Sequence, residues 1–197
     1  MARIIYAKDS RVKGYVALGV GEDGELRRLT VHKIKYSSLG SPSRGEEIDP
    51  ETVRELEEAD EQFRALRRAL SFLSYADNSE RGLVMKLVRA GFPRRVAEEA
   101  VAECVSHGYI RERDQLARLI VSAATVKLRG PLYIKAYLMQ KGYSSSDVSE
   151  VMEELISSGE VCFPDCFRRL CEKLVPEGEE ERMMLAKKYG YRRSDIG

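Results

Sequence analysis

The chain has no tryptophan, only two histidines, His32 and His107, and an aromatic share of just 8%. A core drawn from it must therefore rest on Leu, Val, Ile and Ala, and a histidine-rich metal site is excluded. It also lacks an excess of either charge: 33 Lys and Arg stand against 32 Asp and Glu, a formal net charge of +1. That balance argues against a strongly basic nucleic-acid protein, so any such role must come from local clustering. No apolar run has transmembrane length, and the amino terminus MARIIYAKDSRVKG has no continuous apolar core followed by a small-residue cleavage site. The reading is a cytoplasmic protein with no membrane partner.

Catalytic patterns are missing as well. There is no Walker A sequence, no HExxH and no His-Asp-Ser or Cys-His spacing. The pairs Glu98-Glu99 and Glu153-Glu154 fall on acidic helix faces, where carboxylates are solvated. The expectation is a protein that is not an enzyme and takes no cofactor. Four cysteines, Cys104, Cys162, Cys166 and Cys171, include a C-x3-C-x4-C run that matches no common zinc spacing. Cys104 shares a helical face with Val96, Ala97, Ala100 and Val101. All four are read as small packing residues, with no metal.

What is present is a repeated helix ending. A helix often closes on a left-handed Gly with an apolar residue after it, and Gly91-Phe92, Gly142-Tyr143 and Gly190-Tyr191 fit that closure. Gly91 and Gly142 are 51 residues apart, as are Gly108 and Gly159, while Gly142 and Gly190 are 48 apart. Twelve residues before each Gly-aromatic stop stand Ser79, Gly130 and Gly178, the expected starts of the helices so closed. The periods of tetratricopeptide and ankyrin repeats do not fit.

The organisation expected is mainly α: three tandem three-helix repeats, the last incomplete, behind a small amino-terminal antiparallel β segment. Residues 1–48 form the β-rich region, with strands within roughly the first 35, a hairpin signal at Gly21-Glu-Asp-Gly24 and a loop over 37–45. Residues 49–60 form a linking helix opened by Asp49-Pro50-Glu51, with a break allowed near Asp60. The repeats span 61–110, 111–161 and 162–197, the third stopping in the first turn of its last helix. In the first repeat Phe63, Ala65, Leu66, Ala69, Leu70, Phe72 and Leu73 fill one half of a helical wheel, and Arg64, Arg67 and Arg68 lie on the other. The next helix turns Leu83, Val84, Leu87 and Val88 inward and Lys86 and Arg89 outward. Tyr109, Tyr133, Tyr137 and Tyr143 are read as core or turn packing.

The helix ALRRALSFLSY, the turn RGPLYIKAYLMQKGY, the GYI and GEV after the third helices, and the lead-in TVHKIKY with GEEIDPETVRELEEADE together resemble the RecX family over essentially the whole chain. The resemblance implies a cytoplasmic regulator without catalysis. It implies that the chain binds the RecA recombinase filament on single-stranded DNA, inhibiting its assembly, ATP hydrolysis and recombination and coprotease activity. A monomeric array of repeats suits multivalent contact with a polymer. The candidate partner-binding residues are Arg64, Arg67, Arg68, Lys86, Arg89, Arg129, Lys135 and Lys141. An alternative is a helical-repeat protein that acts directly on single-stranded or duplex DNA through such arginines.

Overall fold

The computed structural model describes residues 2–196, so the outermost residues of the first and last expected segments, 1 and 197, lie outside the described residues. Strands β1 (Ala2–Asp9), β2 (Tyr15–Glu22), β3 (Glu25–His32) and β4 (Glu47–Ile48) make an antiparallel sheet in the order β3-β2-β1-β4. Alternation puts Ala2, Ile4, Val16, Leu18, Leu29 and Val31 inside. Asp23 and Gly24, both with positive φ (50° and 86°), form the two-residue turn between the paired Glu22 and Glu25.

Two features depart from the sequence reading. First, β4 lies beyond residue 35, because the outer edge of β1 has backbone groups to satisfy. Ile4 donates to Glu46 at 3.0 Å and accepts from Gly45 at 2.7 Å, which brings Ile48 into the sheet core. Second, Lys33–Ser38 is a short helix, α1, opened by the ring Nδ1 of His32 accepting the Ile34 N–H and anchored by buried Tyr36. A single turn with one buried residue leaves no periodicity to read.

Helix α2 (Pro50–Tyr75) begins where Asp49 caps it, accepting both the backbone N–H and the hydroxyl of Thr52 at 2.8 Å. The Thr52 N–H holds the Asp49 carboxyl below its ordinary range. No break occurs at Asp60, because that acid faces inward and is bonded there. The remaining helices are α3 (Glu80–Arg89), α4 (Arg94–Ser106), α5 (Glu112–Val121) running into a π-helical turn at Ser122–Val126, α6 (Pro131–Gln140), α7 (Ser145–Ser157), α8 (Phe163–Leu174) and α9 (Glu179–Tyr189). A 3-10 turn, Arg193–Asp195, follows.

The chain divides into two compact units, Met1–Tyr75 with Val84–Ser106, and Ala76–Leu83 with His107–Gly197. In the first, α2 packs on β3 and on α4, with Val53 and Leu56 in the sheet core and Ala65 and Ala69 fully buried. In the second, Ile120, Ile134, Leu138, Val148, Phe163 and Phe167 anchor one apolar cluster. Val88, expected inward, is 42% exposed, since α3 buries only the narrow stripe of Leu83 and Leu87. Cys104 and Cys166 are buried as expected, but Cys162 is exposed, because it precedes α8 in extended conformation rather than lying on the helix's inner face.

The helix stops have one hydrogen-bond pattern. Phe92, Tyr143 and Tyr191 donate to the carbonyls of Leu87, Leu138 and Ala186, and the preceding glycines donate to Val88, Met139 and Lys187. This is the Schellman closure, with each glycine at positive φ. Within the second unit the stops also meet helix starts. Ser79 donates its hydroxyl to the Lys141 carbonyl at 2.7 Å, and a Cβ on Gly82 would lie 2.7 Å from that same oxygen. The arrangement recurs one repeat later: Gly130 donates to Tyr189 at 2.8 Å and Leu132 to Gly190 at 3.0 Å, and a Cβ on Gly130 would collide with the Gly190 carbonyl. Each junction thus joins the start of one helix to the stop of a helix one repeat on.

Candidate partner-binding surfaces

In the first unit, α2 carries Arg64, Arg67 and Arg68, all exposed. They are not equivalent. Arg64 donates Nε to Asp60 at 2.8 Å, and Asp60 is 7% exposed and also accepts the Thr30 N–H. Arg64 therefore supports the fold. The guanidinium of Arg67 lies 5.9 Å from the centre of the Phe63 ring, which itself packs on Tyr15. Arg68 lies 4.6 Å from the Phe72 ring and the Lys86 amine 5.7 Å from the same ring, so two helices bring cations to one aromatic side chain. Each such contact contributes about 0.5–1 kcal/mol at exposed sites and restricts the side chain. Arg89 is exposed in the last turn of α3. Among the described residues, Arg67, Arg68 and Arg89 make no ion pair, which leaves their charge available.

In the same unit α4 presents Glu98 and Glu99, paired along the helix with Arg94 and Arg95 at 2.8 Å, and Glu99 also accepts from the Gln62 side chain of α2 at 2.8 Å. These exposed pairs offset local charge without fixing the fold.

In the second unit, Arg129 and Lys141 flank α6 and Lys135 lies on it. Arg129 is held between two tyrosines, 4.5 Å from the Tyr133 ring and 4.7 Å from that of Tyr189. Tyr133 stacks on Tyr137, with ring centroids 6.3 Å apart and planes 15° from parallel, and Lys141 lies 5.2 Å from the Tyr137 ring. Lys135 instead donates to the Ser149 hydroxyl on α7 at 2.8 Å and ties two helices together. Tyr143 is a packing residue, 4% exposed, donating its hydroxyl to Gln115 at 3.1 Å. Burial first, then the nearby Glu112 carboxylate, push its phenol up to about 12. Tyr109 is 57% exposed and stacks on His107 in the turn after α4, so it packs in a turn where Tyr143 packs in the core.

The rings that hold the cations were absent from the candidate set, although Arg129, Tyr133, Tyr137 and Lys141 recur every fourth residue, as do Phe63 with Arg67 and Arg68 with Phe72. That spacing stacks side chains on one helix face and was the available signal. Among the described residues no three His, Cys, Asp or Glu side chains come together as metal ligands, and no helix is long and apolar enough to cross a membrane.

These features define a tandem helical-repeat protein with a small amino-terminal sheet. Residues 65–104 match the family model for RecX, first three-helix domain. The regulatory protein RecX of Limosilactobacillus reuteri is 25% identical over 131 residues, 66% of this chain and 48% of the relative. That of Shigella dysenteriae is 34% identical over 101 residues, 46% of this chain and 60% of the relative. A crystal structure of regulatory protein RecX superposes with a TM-score of 0.72 at 21% identity, covering 99% of this chain and 97% of that one. The chain is thus similar to RecX proteins over that first three-helix domain and shares the fold of the RecX structure. It spans about half the length of the first curated relatives it matches, 48% of each.

Proposed function

We propose that the protein regulates the RecA recombinase, binding its filament on single-stranded DNA in the cytoplasm and inhibiting assembly, ATP hydrolysis and the recombination and coprotease activities. It does so as a monomer and without catalysis of its own. The observation that carries this reading is a coincidence of position. Arg67, Arg68, Lys86 and Arg89 all fall within residues 65–104, the part that matches the RecX first three-helix domain. Cations already held over Phe63 and Phe72 lose little further side-chain entropy on meeting an anionic surface. The test is RecA ATP hydrolysis on single-stranded DNA, followed with time as the purified protein is added. Hydrolysis should slow at less than one molecule per RecA, and no change at equimolar protein would end the proposal.

A second reading is direct binding to single-stranded or duplex DNA, favoured by the arginines of α2 and α3 that make no ion pair among the described residues. Affinity for DNA free of RecA, falling steeply with salt, would support it.

A further inference from the structure

Helix α6, PLYIKAYLMQ, is apolar nearly all round, a pattern that ordinarily marks a helix enclosed by protein. Yet only Pro131, Ile134 and Leu138 are buried along it. Leu132 is 52% exposed, Tyr133 40% and Met139 48%, and the exposed Ala136 joins them into one strip. Beside the strip run Arg129, Tyr133, Tyr137 and Lys141, each ring or cation resting on the next. No carboxylate occurs in the sequence between Asp114 and Asp147, so α6 and the segments leading into and out of it carry only cationic or neutral side chains.

We propose that this face of α6 is a docking surface for a protein partner, one offering an apolar groove bordered by carboxylates. The composition supports this occupant, since Tyr, Met and Arg are the residues that protein interfaces concentrate. Exposed aliphatic side chains on a helix suit a groove, and a cationic margin suits acidic rims. The ladder fits a single-stranded nucleic acid poorly. Tyr133 has Arg129 at its ring and Tyr137 beside it, and Tyr137 has Lys141, so a stacking base would compete with a cation already at each ring. Leu132 and Met139 offer phosphates nothing. Because the ladder is assembled before the partner arrives, docking orders few further side chains.

The inference rests on the RecA reading for its partner. The test compares the full-length protein with the Leu132→Ser/Met139→Ser variant and with Met139→Glu alone, which places a carboxylate where the partner's are expected. Thermal melts show whether each variant is folded, and the readout is inhibition of RecA ATP hydrolysis on single-stranded DNA. Both variants are expected to melt with the wild type and to need at least ten times more protein for equal inhibition. Equal inhibition by wild type and both variants overturns this inference and leaves the RecA reading standing, whereas no inhibition by the wild type ends both. Sedimentation of the protein alone adds one arm: a wild-type dimer that the variants abolish assigns the face to a second copy and overturns the proposal. Weakened binding of RecA-free single-stranded DNA by the Ser variant assigns it to nucleic acid, with the same consequence.

Discussion

Thr30 on the outer strand β3 donates its backbone N–H to the carboxylate of Asp60 on α2, 2.8 Å away. The second oxygen of that carboxylate receives Nε of Arg64. A buried acid thus satisfies a strand donor, and a helix arginine balances its charge. Asp60→Ala should lower stability by about 1–3 kcal/mol, because a buried donor loses its acceptor. Arg64→Glu should cost clearly more than Arg67→Glu, since it sets a second carboxylate one turn from the first. Urea unfolding of the three variants measures the order, and equal losses for the two arginines would remove Arg64 from its structural role.

The functional test on α2 should therefore leave Arg64 alone. Reversing Arg67 and Arg68 to Glu removes two ring contacts, worth about 0.5–1 kcal/mol each, and should shift the melt only slightly. Inhibition of RecA should weaken at least tenfold. The control reverses Glu98 and Glu99 to Lys, which breaks two exposed helix pairs of about 0.3–0.5 kcal/mol each and the Gln62–Glu99 hydrogen bond. Loss of inhibition in the control, with the arginine variant unaffected, would move the docking face to α4.

Gly82 gives a test of sign. Replacing Gly by Ala in a helix ordinarily stabilises by about 1 kcal/mol. Here the new Cβ would meet the Lys141 carbonyl at 2.7 Å and the Ser79 hydroxyl at 2.8 Å. Gly82→Ala should instead destabilise, by about 1–3 kcal/mol as overpacking usually does. Gly130→Ala should do the same at the equivalent junction. A higher melting temperature for either variant would show that the junctions yield.

Glu112 accepts the Glu80 N–H at 2.6 Å, yet burial, with repulsion from Glu80 and Asp147 added, raises its carboxyl above the ordinary value of 4.5. A raised folded pKa favours the protonated form. The stability linked to Glu112 is thus fully present below pH 4.5 and lost as pH rises through the folded value. Glu112→Gln keeps an acceptor without the charge. It should melt higher than the wild type at neutral pH, with the gap closing as pH falls to about 4. A gap that persists in acid would mean the gain is not electrostatic.

Much of this was legible in the sequence, for identifiable reasons. The Gly-aromatic stops were readable because a left-handed residue all but demands glycine, and Asp23-Gly24 because the turn type demands both residues. The lead into α2 was readable because Asp49 and Pro50 act within one turn. What sequence reading missed depends on contacts distant along the chain. Asp60 looks like a solvated acid and a possible break until Thr30, far earlier, is seen to need an acceptor. The strand Glu47–Ile48 is too short to show alternation and exists because β1 has an open edge. At the candidate surfaces the cations are legible as exposed charge, but their rings read as core or turn packing. A wheel that sorts residues into apolar and charged halves hides a tyrosine that is part of both.

The junctions within the second unit have a consequence for how such a chain can vary. Each uses the same small vocabulary, a helix start that tolerates no side chain near it and a left-handed stop whose carbonyl it meets. Contact of this kind is between nearest neighbours, so stability is distributed repeat by repeat. A duplication or deletion of one whole repeat, cut between equivalent glycines, preserves every remaining junction. A cut elsewhere strands a helix start without its stop. Such chains can change length in quanta of about fifty residues while the chemistry that joins their parts stays the same.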